Sequence, residues 1–190
     1  MAFPTSLPIA LKEWATVCRA LETGRQVILL RKGGIYEAAG EFELENPQFL
    51  LFPTYLHQNL KMLKAQAHEG FEAVNAEPGE VRIAAAGAVS DIVQLRSRAQ
   101  LEAIDTEHVW TPPLIDMRFN YKPDNPLYLL LVRAYRLPRP VVVRNTPEYA
   151  GCKSWVPLGK PIETGGAVPV LEDVQYGTRR GGILDAIRRW

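Results

Sequence analysis

Cysteine is nearly missing from this chain. Cys18 and Cys152 are the only two, and they form neither a CxxC pair nor a disulfide framework, so a reduced, cytoplasmic setting is the simpler expectation. Long apolar runs are missing too, and without one the chain has no means of crossing a bilayer as a helix. The opening MAFPTSLPIALKEW is interrupted by Pro4 and Pro8 and lacks a basic stretch before an unbroken apolar region, which excludes a signal peptide. A charge excess of one sign is absent, with a formal net charge of +1. There is therefore no overall pull toward a polyanion. Histidine is scarce, and none of His57, His68 and His108 stands at zinc spacing from another ligand. Neither a metal nor any other cofactor is expected. Walker, GxGxxG and GxSxG signatures are all lacking, so no standard phosphate loop or serine nucleophile can be read off.

What is present is a core. The 190 residues are 47% hydrophobic and 23% charged, enough apolar surface for one domain. The most apolar stretch is Leu127–Leu137, LYLLLVRAYRL, bracketed by Pro126 and Pro138. Both of its alternate faces are largely apolar, which predicts a central strand covered on each side. The fold class expected is α+β with a mixed, mostly antiparallel sheet. One domain spans 1–190, with a core over about 11–158, an extended arm at 1–8 and a C-terminal extension at 159–190 that ends in a short helix.

Around that strand the patterning predicts a helix from the spacing of Leu11, Trp14, Ala15, Cys18 and Leu21, ended by Gly24. A hairpin built on Trp14–Leu21 is the rival reading. Strands are expected over Gln26–Arg31, Glu41–Glu45, Phe49–Phe52, Val81–Gly87, Ala88–Arg96, Val141–Arg144 and Ser154–Leu158. Leu56, Leu60, Leu63 and Ala67 predict a helix over Tyr55–Ala67 with Thr54 as its cap. On such a helix His57 and His68 would lie about 16 Å apart and could not share a metal. Residues 68–80 form a polar loop. Ser97 and Gln100 have capping-box spacing, and Thr111-Pro112-Pro113 opens a helix that must stop before Lys122.

Charge is unevenly spread along the chain. Glu37 to Glu80 holds two lysines against eight glutamates, whereas Arg118 to Lys160 holds eight lysines or arginines against two acids. A basic second half suits a polyanion, although a solvated sheet face gives the same count. Three clusters draw attention. Arg31 and Lys32 precede Gly33 and Gly34 at a strand end, a setting in which backbone and cations can approach a phosphate. Tyr55, His57 and Gln58 offer an aromatic ring, a base and an amide. Trp110, Arg118, Tyr121 and Lys122, with Lys153 and Trp155, interleave rings and cations as a base-stacking surface does. Structural packing is the competing role for Trp110, Phe119 and Trp155. Arg133, set between Leu131 and Tyr135, needs an acidic or carbonyl partner, and Asp116 is the candidate. Cys152 and Ser154 lack the neighbours of an activated nucleophile.

Several of these residues also resemble a known family. Leu11-Lys12-Glu13-Trp14, Leu29–Ile35, Phe52–Tyr55 with His57-Gln58, His108–Thr111, Arg118-Phe119 with Lys122-Pro123, Leu131–Leu137, and Tyr149 with Gly151–Trp155 look like the bacterial domain-of-unknown-function family 1802. That resemblance implies no activity and no catalytic residues. Element order and a tryptophan also resemble the PUA-like barrels, the ASCH and EVE domains, which bind RNA or modified bases. Fold analogy alone is an associational warrant. The leading expectation is a nucleic-acid or nucleotide-binding module for RNA, DNA or a nucleotide. Its contacts would be Arg31, Lys32, Tyr55, His57, Gln58, Trp110, Arg118, Tyr121, Lys122, Lys153 and Trp155. One alternative is a hydrolase-like enzyme on a phosphorylated substrate with His57 as base; another is a structural or protein-interaction domain.

Overall fold

The computed structural model describes residues 3–32, 35–38, 41–150 and 153–190. Gly33, Gly34, Gly151 and Cys152 lie outside the described residues. Among the described residues nine strands and four α-helices follow one another as β1 (Ser6–Trp14), α1 (Ala15–Glu22), β2 (Ile28–Arg31), β3 (Ile35–Ala38), β4 (Glu41–Leu44), β5 (Gln48–Thr54), β6 (Glu80–Leu95), α2 (Arg98–Glu102), α3 (Pro112–Asn120), β7 (Leu127–Arg144), β8 (Trp155–Glu163), β9 (Val168–Pro169) and α4 (Asp173–Arg188). The seven-stranded sheet runs β2-β7-β6-β5-β1-β8, with β9 added to β7, and β3 pairs with β4 separately. Only β1 and β5 run parallel. The fold is α+β with a mixed, mostly antiparallel sheet. The sheet does not close, so the barrel implied by the PUA-like resemblance is replaced by an open, curled sheet.

β7 is its centre. Leu127 to Val132 are all buried, because β6 pairs along one edge while β2 and then β9 take the other. The strand continues past Pro138 to Arg144, so Val141–Arg144 is its far half and not a separate element. The register with β6 jumps from Ala85↔Arg136 to Ile83↔Val141. That bulge accommodates Pro138 and Pro140, which have no N–H to give to a ladder. β6 is likewise one bent strand in place of the two expected. Its second register shift isolates Ser90, whose hydroxyl meets Tyr176 Oη of α4 at 2.7 Å.

Alternation along the strands sorts the core into two faces. Leu11, Phe49 and Leu51 belong to the first, together with residues of α1, α2, α3 and α4; β7 is covered on both sides there, so the adjacent Leu129 and Leu130 both join that cluster. Ala10, Leu50, Phe52, Ile83, Leu137, Val156 and Ile162 belong to the second, which contains no helical residue. Gly87 sits where β6 crosses the first face. A Cβ there would fall 2.7 Å from Val132 Cγ1 and 3.1 Å from Phe49 Cε2.

Five other expectations change. The Leu11–Leu21 periodicity is split between a strand and a helix: β1 runs to Trp14, and only Ala15–Glu22 is helical, ended by Thr23 and by Gly24 at φ +72°. The arm at 1–8 partly joins the sheet, with Ser6 and Leu7 paired to β8. Tyr55–Ala67 is no helix but a loop with two short 3-10 turns, Leu60–Met62 and Ala65–Ala67. Glu77 explains the start of this loop, since its carboxylate accepts the backbone N–H groups of Tyr55 and Leu56. The last helix starts at Asp173, ten residues before the expected Ile183. Tyr176, Ile183 and Ile187 anchor it on the first face. Arg180 reinforces that anchor by pairing with Asp91. Arg133 pairs with Asp173 at the α4 start, not with Asp116, which instead holds Arg98.

Candidate functional site

The curl of the sheet determines which cations meet. β2 and β1 are first and fifth in strand order, yet Arg31 at the end of β2 donates through Nη2 to the Lys12 carbonyl at 2.9 Å and to Glu13 Oε2 at 3.0 Å. Glu13 is 6% exposed and shares the Leu11 side of β1. Burial pushes the Arg31 guanidinium below its ordinary value; Glu13 opposes that shift, and the nearby positive charge of Arg118 adds to it. Arg118 itself has no acidic partner among the described residues. The Nε atoms of Arg31 and Arg118 are both buried without a hydrogen-bond partner among the described residues. Arg31 thus holds the one carboxylate here while Arg118 adds a second positive charge nearby, and donors remain unused.

Lys32 extends the cluster. Its Nζ donates to the carbonyls of Phe119 at 2.9 Å and Lys122 at 3.2 Å, satisfying the end of α3 where the helix runs out of partners. Lys122 adopts a left-handed φ of 46°, and its ammonium lies 5.5 Å from the ring centre of Tyr121. Tyr121 is 55% exposed, so its ring has open area. Through β1 the same end of the sheet meets the start of β8: Lys12 N donates to Ser154 O, and Leu11 pairs with Trp155. Trp155 is half-buried, edge-on to Phe49 at 5.5 Å, and Lys153 is exposed beside it.

The remaining candidates fall elsewhere. Tyr55, His57 and Gln58 follow β5 at the end of β1, where Thr54 Oγ1 donates to Glu13 O. Gln58 Oε1 accepts from Thr16 N at 2.8 Å and Thr16 Oγ1 at 2.9 Å, fixing the first turn of α1, while its Nε2 is buried unpartnered. His57 is exposed. Burial, then the Glu72 charge, pushes the Tyr55 phenol up, so it stays neutral. Trp110 is 3% exposed and stacked on His108 at 5.3 Å, so packing is its role in this fold. His108 is neutral: burial, then Lys64, lowers its pKa to about 4. Its Nδ1 accepts the Trp110 N–H, and Asp105 is held by Lys64 at 2.8 Å instead of forming an ion pair with the imidazole. Burial, then Glu13, raises the Cys18 thiol well above its ordinary value, so it is protonated and unreactive.

Glu13, at the heart of this cluster, has no local signal beyond an acid on the Leu11 side of a strand, and reading the segment as a helix hides that alternation. Among the described residues no three histidine, cysteine or acidic side chains converge on a metal-sized site. The family model described as "Domain of unknown function (DUF1802)" matches residues 10–181. The chain belongs to that family. No curated protein and no solved structure matches it. The DUF1802 match runs from Ala10 in β1 to Gly181 in α4, so it includes the cation cluster and Tyr176 but stops short of Ile183 and Ile187.

Proposed function

We propose that this DUF1802 chain is a nucleic-acid or nucleotide-binding module whose phosphate-contacting pair is Arg31 and Arg118. The observation that carries the reading is the imbalance just described: two guanidiniums, one carboxylate, and two buried Nε donors with no partner among the described residues. An unsatisfied buried donor is costly, and a charge-assisted bond to a phosphate oxygen would remove that cost. Tyr121 and Lys122 supply the adjoining stacking face and a third cation, and Lys153 and Trp155 continue the surface past β1. Lys32 acts differently, because its ammonium already holds the α3 carbonyls and so supports the site instead of contacting a ligand. A cytoplasmic setting suits a chain with two cysteines, of which Cys18 is a buried thiol.

The test is a fluorescence-polarisation titration of labelled single-stranded RNA, single-stranded DNA and a labelled nucleotide at low and at moderate salt. Affinity that falls as salt rises, and is lost in a folded Arg118→Glu, Lys122→Glu variant, is the expected result. Absence of binding at low salt, or binding indifferent to salt, would overturn the reading.

A further inference from the structure

Among the described residues no α-helix packs on the second face of the sheet, and it opens into a cleft. Val141 and Val143 from the far half of β7, Tyr149, and Leu158 and Ile162 from β8 line a volume of about 660 Å³. Small-molecule sites span roughly 300–1,000 Å³ and combine an apolar wall with a few polar groups. The apolar wall is built by β-strand alternation: Val141, Val143, Leu158 and Ile162 all pack on the second core. The ring of Tyr149 is fixed edge-on to Phe52 at 5.9 Å, and its hydroxyl accepts the Gly159 N–H at 3.3 Å.

Charge at the lip is unbalanced as well. Arg144 and Lys160 line the cleft, and the side chain of neither has a partner among the described residues. Glu163 is the one carboxylate lining it, so the lip is left with one uncompensated positive charge. Thr146 also lines the cleft, and its Oγ1 is buried without a hydrogen bond among the described residues. An occupant must therefore have an apolar body and a single negative head with oxygen acceptors.

We propose that this cleft binds a small monocarboxylate of the fatty-acid class. The alkyl chain lies along Val143, Leu158 and Ile162, and the carboxylate takes the Arg144 fork and the Lys160 ammonium, with the Thr146 hydroxyl as a further donor. The site is independent of the Arg31–Arg118 pair. Glu13 faces the first core, whereas the cleft is built from residues that pack with Ala10 and Phe52 on the second.

The test uses the full chain and a dansyl-labelled undecanoic acid as the probe, displaced by decanoate, decanol or decyltrimethylammonium. Saturable binding of one probe per chain is expected, with decanoate displacing it and the alcohol and the cation far weaker. In the Arg144→Ala, Lys160→Ala variant, whose changes are on exposed side chains, affinity should fall about tenfold or more with the melting temperature kept. Val143→Trp, which fills the cleft, should abolish binding. No binding of the probe, equal displacement by decanol, or an unchanged affinity in the double variant would overturn the proposal. So would self-association in sedimentation that Val143→Trp abolishes, since a second copy would then be the occupant.

Discussion

Arg31 and Glu13 bridge two strands that share no backbone hydrogen bond, with Nη2 3.0 Å from Oε2 across the gap between β2 and β1. The pair does by side chain what a closed barrel would do by backbone. Removing one partner leaves a charge buried alone, and here Arg118 adds a second cation to what remains. Glu13→Ala should destabilise the fold by about 3–5 kcal/mol, whereas replacing both residues by leucine and methionine should cost far less. Urea unfolding of the single and double variants measures this. A double variant as unstable as the single would show that the two are not coupled.

His108 gives the fold a pH dependence of definite sign. Its pKa is lowered to about 4 in the folded chain by burial and Lys64, against about 6.5 unfolded. The unfolded state therefore binds the proton first as pH falls, and stability declines from about pH 6.5 down to about pH 4. The loss amounts to roughly 3 kcal/mol over that window. His108→Asn, which can still accept from Trp110 N, should flatten this part of the profile. Denaturation midpoints across the window check it, and an unaltered slope in the variant would refute the assignment.

Gln26 is fully buried between β2 and the segment before α3. Its Nε2 donates to Ile28 O at 2.7 Å, and its Oε1 accepts from Val109 N at 2.9 Å. Gln26→Leu keeps the volume and strands both backbone groups, so a loss of about 2–3 kcal/mol is expected. Calorimetric melting would register it; a neutral substitution would mean that water replaces the amide.

Gly87→Ala should cost about 1–3 kcal/mol, because the added methyl enters space already filled by Val132 and Phe49. Restoring room with Val132→Ala in the same chain should recover part of that loss. An additive double variant, measured by the same unfolding experiment, would sink the steric account.

What could be read from the residues follows from how local each signal is. Leu127–Leu137 is legible because burial on both faces leaves no polar alternation, and β2 and β6 do flank it. The Ser97/Gln100 spacing is legible because the Gln100 amide reaches back only a few residues, accepting from Arg96 N and Ser97 N. α3 shows itself through Pro112 and Pro113 at its start. Tyr55–Ala67 misleads because its leucines repeat at helical spacing while Leu56 and Leu60 are exposed, and the group that fixes the backbone, Glu77, is twenty-two residues from Tyr55. Arg133 finds Asp173 only because α4 folds back on the sheet, which no local pattern announces. In the candidate site, Arg31, Lys32, Arg118 and Lys122 do come together. Gln58, with Tyr55 and His57 before it, is tied to Thr16 just past the end of β1, and Trp110 is enclosed in the core.

The position of β7 also governs the order in which the chain can assemble. Ile28 of β2 waits for Leu131, roughly a hundred residues later, and β9 comes later still. Such distant pairings make folding slow. While the chain is being synthesised, the apolar β2 therefore has no edge to dock on until β7 emerges. The β6–β7 hairpin, whose strands are joined by α2 and α3, is the natural nucleus, onto which the earlier and later strands then condense. A chain interrupted before Arg144 would present unpaired, hydrophobic strands, and its fate would be aggregation and not partial function.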